Sequence, residues 1–299
     1  MASVKAWIKA ARLRTLPLAL ASTAMGGMVA AAHPNFQLNV ALMAILTTQF
    51  LQILSNFSND YGDFVRGSDN EKRIGPTRTV QAGEVSQPEM KTAMTLFAIL
   101  SLISGLYLIF GLAQIHMTGK IIILLAGLAA IYASIRYTVG QNPYGYRGLG
   151  DLNVFIFFGL AAVAGTYYLA TNSLPWTIFL PATAMGMLST AVLNLNNMRD
   201  HANDAMTGKN TLVVKIGFQK ALRYHSLLVL LPFVLLAVFL SMQQAALLQY
   251  AFLFTLPLFV RDLNDIRKLE GRAALDPYLR KLALKTLLLT FVFGILINL

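Results

Sequence analysis

Long apolar runs alternate with polar breaks along nearly the whole chain. Nine of them, 15–32, 38–57, 91–113, 118–138, 151–171, 174–195, 222–241, 245–260 and 282–298, are of bilayer-spanning length. No Lys, Arg, Asp or Glu lies deep inside any run. Lipid offers no partners to backbone N–H and C=O groups, so each segment must satisfy its own, and a helix does this. The pattern predicts an all-α polytopic membrane protein, a bundle of nine transmembrane helices.

The breaks fall into two sets. Segments 33–37, 114–117, 172–173 and 242–244 are short and nearly uncharged. The N-terminal arm, 58–90, 139–150, 196–221 and 261–281 are long and polar. Of 24 Lys and Arg, only Lys120 lies beside a short break, and all 13 acids lie in or next to the long set. The positive-inside rule then puts the long loops and the N-terminus in the cytoplasm and the C-terminus outside the cytoplasmic (inner) membrane. The basic start and first apolar run have the layout of a signal peptide, but the run is long enough to be an uncleaved first span.

Composition agrees with a chain whose main partner is the lipid bilayer. It is 56% hydrophobic and 12% charged, against about 25% charged in soluble domains. A net charge of +11 would raise nucleic acid as a partner for a soluble protein. Here the topology bias accounts for it, and no nucleic acid is expected. The absence of cysteine excludes disulfides, thiolate metal sites and a Cys nucleophile.

Topology does not explain the acids, because Asp and Glu contribute little to it. After the second run, Asn56, Asn59, Asp60 and Asp63 are spaced i, i+3, i+4, i+7, one stripe of a helix. The stripe offers oxygen ligands and amides, which suit Mg²⁺ rather than zinc or copper. Lys72, Arg73 and Arg78 follow around Gly75-Pro76. Acids that hold a metal, followed by bases that hold an anion, point to a metal-bound phosphate or diphosphate.

A second stripe follows the sixth run: Asn197, Asp200 and Asp204, with Asn196 alongside. The two stretches echo each other. Asp63 precedes Gly67 by four residues, and Asp204 precedes Gly208 by four. Basic and threonine residues come next: Arg73, Arg78 and Thr79 in one, Lys209, Thr211 and Lys215 in the other. This predicts a pseudo-repeat of 15–138 in 151–260, with 282–298 as an added ninth helix. The competing reading is two helix ends capped by Asn and Asp at a membrane surface.

The motifs N-D-Y-G-D (59–63), G-P-T-R (75–78), Y-G-Y-R-G-L-G-D (144–151), N-N-M-R-D-H-A-N-D (196–204) and T-G-K-N-T-L (207–212) resemble the UbiA superfamily of intramembrane aromatic prenyltransferases. The resemblance covers nearly the whole chain, and Y-R-G-L-G points to the naphthoate branch. It implies a nine-helix bundle with the active site opening to the cytoplasmic side. It also implies Mg²⁺-dependent transfer of a polyprenyl group from a polyprenyl diphosphate to 1,4-dihydroxy-2-naphthoate, on the way to menaquinone. The implied metal ligands are Asn59, Asp60, Asp63, Asp200 and Asp204. Asp63, Asp200 and Asp204 are the catalytic acids, and Arg73, Arg78 and Lys209 are candidates for the diphosphate. Arg147 is the candidate for the acceptor carboxylate, with Tyr144 and Tyr146 as hydrogen-bonding neighbours; the competing reading of Arg147 is a positive-inside anchor.

The chain also departs from part of the family. Relatives acting on 4-hydroxybenzoate often carry a further Asp at the position of Gly67, and here the next acid is Asp69. The departure weighs against 4-hydroxybenzoate and leaves Asp69 as either a ligand by another route or loop surface. A secondary transporter is the alternative from another class, since intramembrane polar groups often mark transport paths.

Overall fold

Helices form where the apolar runs lie, and polar caps begin several of them. A computed structural model describes residues 2–71 and 73–299; Lys72 lies outside them. α1 (Val4–Ala11) starts where the Ser3 hydroxyl accepts from Ala6 N, and ends at Arg12 in the left-handed region. α2 (Leu16–Ala30) carries Pro17 in its first turn, where a missing N–H costs nothing. α3 (Leu38–Val65) follows. α4 (Gln87–Leu112) begins at a Ser86/Glu89 capping box. α5 (Met117–Arg136), α6 (Gly150–Thr171) and α7 (Trp176–Met206) come next. A short α8 (Leu212–Ile216) leads into α9 (Phe218–Met242). The chain ends with α10 (Leu256–Arg267) and α11 (Asp276–Ile297).

The described residues contain no strand. Six helices, α3, α4, α5, α6, α7 and α9, are long and apolar enough to cross a membrane. The other three runs differ for physical reasons. α2 is apolar but has only 15 residues. The eighth run is split into 3₁₀ turns (Leu247–Thr255) and α10, because Pro257 has no N–H to donate and suits a first turn better than an interior. α11 carries Arg280, Lys281 and Lys285 in its first half.

α7 is the most buried of the six and packs against α2, α6, α9 and α11. It crosses α6 at backbone contact: a Cβ on Gly159 would lie 2.7 Å from Gly186 Cα. Small residues permit such approach where lipid gives helices no hydrophobic reason to associate. α3 packs against α2, α4 and α5, and a smaller core joins Ala6 and Ala10 of α1 to Leu54, Phe57 and Met90.

The long polar segments gather at one end. Arg66 donates to the Gln141 carbonyl at 2.7 Å, Asn210 N to the Tyr146 carbonyl at 3.1 Å, and Arg199 to Asp276. The short connections lie at the other end, where Gln37 N donates to the Ala170 carbonyl and Asn298 to that of Met28. Both acidic stripes fall at the polar end. α3 and α7 run past their apolar stretches to residues 65 and 206, so each stripe occupies the closing turns of a long helix.

Candidate active site

The two stripes end in the same cap. Gly67 and Gly208 both have φ +72°. Ser68 N donates to the Asp63 carbonyl at 2.9 Å, and Lys209 N to the Asp204 carbonyl at 2.8 Å. This is the Schellman arrangement, in which the residue after a left-handed glycine bonds back to the last helical turn. It requires a glycine four residues after the capped position, which is the Asp-to-Gly spacing seen twice in the sequence.

The caps dock on each other. Ser68 Oγ meets Thr207 Oγ1 at 3.3 Å, and Asn203 donates to the Ser68 carbonyl at 2.9 Å. In return Lys209 Nζ reaches both Asp63 oxygens at 3.3 Å. Residues 144–147 close the third side: Tyr146 donates its hydroxyl to Asp63 Oδ1 at 2.7 Å.

Charge in this pocket is dense, mixed and buried. Arg78 Nη2 lies 2.9 Å from Asp63 Oδ2, and its Nε lies 3.1 Å from Asp69 Oδ2. Arg73 Nε is 3.2 Å from Asp69 Oδ1, and its Nη2 is 3.7 Å from Asp200 Oδ2. Arg199 grips Asp200 with Nε at 2.9 Å and Nη2 at 2.6 Å. Asp204 is buried near Lys209, Asp200 and Asp63, and no described residue hydrogen-bonds its carboxylate.

Burial and pairing pull the loop groups in different directions. Burial pushes Asp69 above the usual carboxylate range, although Arg78 opposes the shift. Burial would lower Lys209, but Asp63 and Asp204 hold it above its ordinary value. Arg78 is likewise raised against burial by Asp63 and Asp69, whereas burial and Arg78 lower Arg73.

Several buried atoms here have no hydrogen bond. Both Asp69 oxygens and Arg78 Nε lie at ion-pair distance but without hydrogen-bonding alignment. Arg12 Nη2, on the N-terminal arm, is buried without a partner, and its charged neighbours are Arg78, Asp60, Arg73 and Asp69. Buried carboxylates interleaved with guanidiniums suit a cation and an anion bound together. Among the described residues, no group of three or more His, Cys, Asp or Glu is placed to hold a metal ion by itself. That is compatible with Mg²⁺, which keeps part of its shell for waters and substrate phosphates.

The structure brings together Asp63, Asp200, Asp204, Arg73, Arg78 and Lys209. It gives other expected residues different work. Asp60 accepts from Thr79 N at 3.1 Å, Thr79 Oγ1 at 2.7 Å and Val80 N at 3.2 Å. It organises the 75–83 turn. Asn59 stands at the edge, its Oδ1 accepting from Thr138 at 3.4 Å and its carbonyl from Arg78. Tyr144 donates to the Ala133 carbonyl at 2.8 Å and packs on Tyr137; Tyr146, two residues on, holds Asp63 instead. Arg147 is exposed, and its carbonyl accepts from Lys215 at 2.6 Å. Arg199 and Arg12 join the site without having been expected there, and Asp69, left open between ligand and loop surface, lies inside it between Arg73 and Arg78. For Arg12 a signal exists, since it is a non-glycine residue with positive φ, but only the fold reveals it.

Comparison with known proteins places these features in context. Residues 19–297 match the UbiA prenyltransferase family. A 1,4-dihydroxy-2-naphthoate octaprenyltransferase from Escherichia coli is 43% identical, over 98% of this chain and 96% of that protein. The enzyme of the same description from Mycobacterium tuberculosis is 34% identical, over 96% of this chain and 94% of that one. The fold is similar to a UbiA homolog from Archaeoglobus fulgidus bound to GPP and Mg²⁺. Their TM-score is 0.69 at 18% identity, over 98% of this chain and 100% of that one.

Proposed function

The chain belongs to the UbiA prenyltransferase family, and on that premise we propose that it prenylates 1,4-dihydroxy-2-naphthoate. A polyprenyl group passes from its allylic diphosphate to the naphthoate ring, with release of pyrophosphate and CO₂. The acceptor follows from the activity of its relatives. The observation that carries the chemistry is the buried convergence of Asp63, Asp200 and Asp204 with Arg73, Arg78 and Lys209 at one end of the bundle.

In this reading Asp63, Asp200 and Asp204, with Asp69 and Asn59 beside them, hold Mg²⁺. When bound, the metal neutralises charge that builds on the leaving diphosphate. Lys209, Arg78, Arg73 and Arg12 face the same phosphates. These cations are fixed in position before substrate arrives, so stabilising the departing oxyanion costs little reorganisation. Arg can offer a two-pronged grip and Lys a point charge. The prenyl tail lies among the apolar helices, and the naphthoate approaches from the polar end. The same reading has the chain crossing the cytoplasmic membrane nine times with its N-terminus and active site on the cytoplasmic side. The gathering of the long basic loops at one end supports it.

The test is purified full-length protein given polyprenyl diphosphate and Mg²⁺, with 1,4-dihydroxy-2-naphthoate or 4-hydroxybenzoate side by side. The expected product is a prenylated, decarboxylated naphthoquinol. Turnover of the benzoate alone would overturn the acceptor. Pyrophosphate release that ignores both acceptor and Mg²⁺ would overturn the reaction.

A further inference from the structure

Arg199 is a fully buried cation one residue before Asp200. All three of its nitrogens are engaged. Nε and Nη2 hold the two Asp200 oxygens, Nη2 also reaches Asn196 Oδ1 at 2.8 Å, and Nη1 donates to Asp276 Oδ1. Asp276 opens α11, and its other oxygen lies 3.4 Å from Arg14 Nη1. The long polar segment 261–281 is thus tied through Asp276 and Arg199 to the acidic stripe. Close by, a Cβ on Gly75 would fall 2.6 Å from Arg199 Nη2, so the guanidinium has little room to turn.

We propose that Asp276 is a positioning residue for the Mg²⁺-diphosphate site, acting on Asp200 through Arg199. This rests on the reading of Asp200 as a metal ligand. The physical argument has two parts. Asp276 fixes the far side of a planar donor fork, and the near side of that fork sets the plane of the Asp200 carboxylate. Asp276 also gives Arg199 a second anion, so Asp200 does not neutralise the buried cation alone and keeps charge to offer a metal. A carboxylate has room for about four acceptor contacts, so the fork leaves sites open on Asp200. Outer-shell partners of this kind are worth roughly 10–100-fold in metal affinity.

The probe is Mg²⁺ with an unreactive allylic thiodiphosphate, bound to the full-length protein in detergent. The readout is the Mg²⁺ concentration giving half-maximal analogue binding, alongside Tm without ligand. Asp276→Asn should raise that concentration about tenfold, and Asp276→Glu, which keeps the charge on a longer stem, about threefold. Arg14→Gln removes only the partly exposed pair and should leave it within about twofold of wild type. If wild type binds the analogue without needing Mg²⁺, the functional reading itself fails. If wild type needs Mg²⁺ and either folded Asp276 variant keeps the wild-type midpoint, the positioning role fails. Should Asp276→Asn not accumulate, Asp276→Glu alone decides. A lowered Tm with an unmoved midpoint would mean that Asp276 only braces the fold.

Discussion

The closing turns of α3 and α7 share one cap and differ in who holds the acid. Asp63 is gripped entirely from elsewhere in the chain: by Arg78 from the following loop, Tyr146 from the 137–149 connection and Lys209 from the other cap. Asp200 is gripped mainly by its own neighbour, Arg199, with Arg73 farther off at 3.7 Å, and the Asp204 carboxylate by no described residue. The first stripe is therefore where separate segments converge on one carboxylate, and the second is held chiefly through Arg199, which Asp276 of α11 braces from behind. The Asp-to-Gly spacing is what the cap demands, whether or not 15–138 is repeated in 151–260.

The largest effects should separate stability from chemistry. Asp63→Ala leaves Lys209 buried without its carboxylate, a loss of about 3 kcal/mol or more, and should abolish detectable pyrophosphate release. Asp204→Ala strands no partner. It should lose activity comparably, about a thousandfold or more by analogy with other transition-state charge stabilisers, while Tm in detergent stays near wild type. Equal Tm losses in the two variants would mean that Asp204 is as embedded as Asp63. Activity surviving Asp204→Ala would remove Asp204 from the site.

Next in size is the contrast within 144–147. Tyr146→Phe removes a donor to Asp63 and should cut kcat/KM about tenfold, the cost of one hydrogen bond to a charged group. Tyr144→Phe loses only a bond to the Ala133 carbonyl, and Arg147→Ala loses an exposed side chain. Both should stay within about threefold of wild type for either substrate, since neither change touches the charged cluster. A rise in acceptor KM for Arg147→Ala alone would restore its expected role at the carboxylate.

That contrast shows what could be read from sequence. The helices were legible because lipid enforces long uncharged runs, and the stripes because helical spacing brings i, i+3, i+4 and i+7 together. Lys209 and Arg78 were legible as bases trailing acids. The choice between Tyr144 and Tyr146 was not. The segment is 3₁₀, and which ring turns inward depends on where 137–149 docks. Asp69 was equally hidden. Nothing local says that a loop acid will lie 6% exposed between Arg73 and Arg78. It is set there because Gly67 turns the chain back and Ser68 and Asp69 both donate to the Asp63 carbonyl. The glycine closes the cap, and Asp69 supplies a carboxylate two residues later.

The smallest predicted effects test the caps themselves. A Cβ at Gly67 or Gly208 would meet nothing within 4 Å, so an alanine at either costs only left-handed backbone strain, about 1–2 kcal/mol. Stability should fall equally in Gly67→Ala and Gly208→Ala. Function should not. Relaxing the second cap moves Lys209, whose 3.3 Å reach to Asp63 spans the two stripes. Relaxing the first moves Ser68, whose partners Thr207 and Tyr146 are hydroxyls. Gly208→Ala should therefore raise the KM for polyprenyl diphosphate several-fold, and Gly67→Ala should change it less. Gly208→Asn, which tolerates positive φ, should recover most of the loss. If Asn behaves like Ala, the glycine matters for space near a bound substrate rather than for the turn. The second cap would then belong to the binding surface, and the likeness between the two helix ends would stop at their backbones.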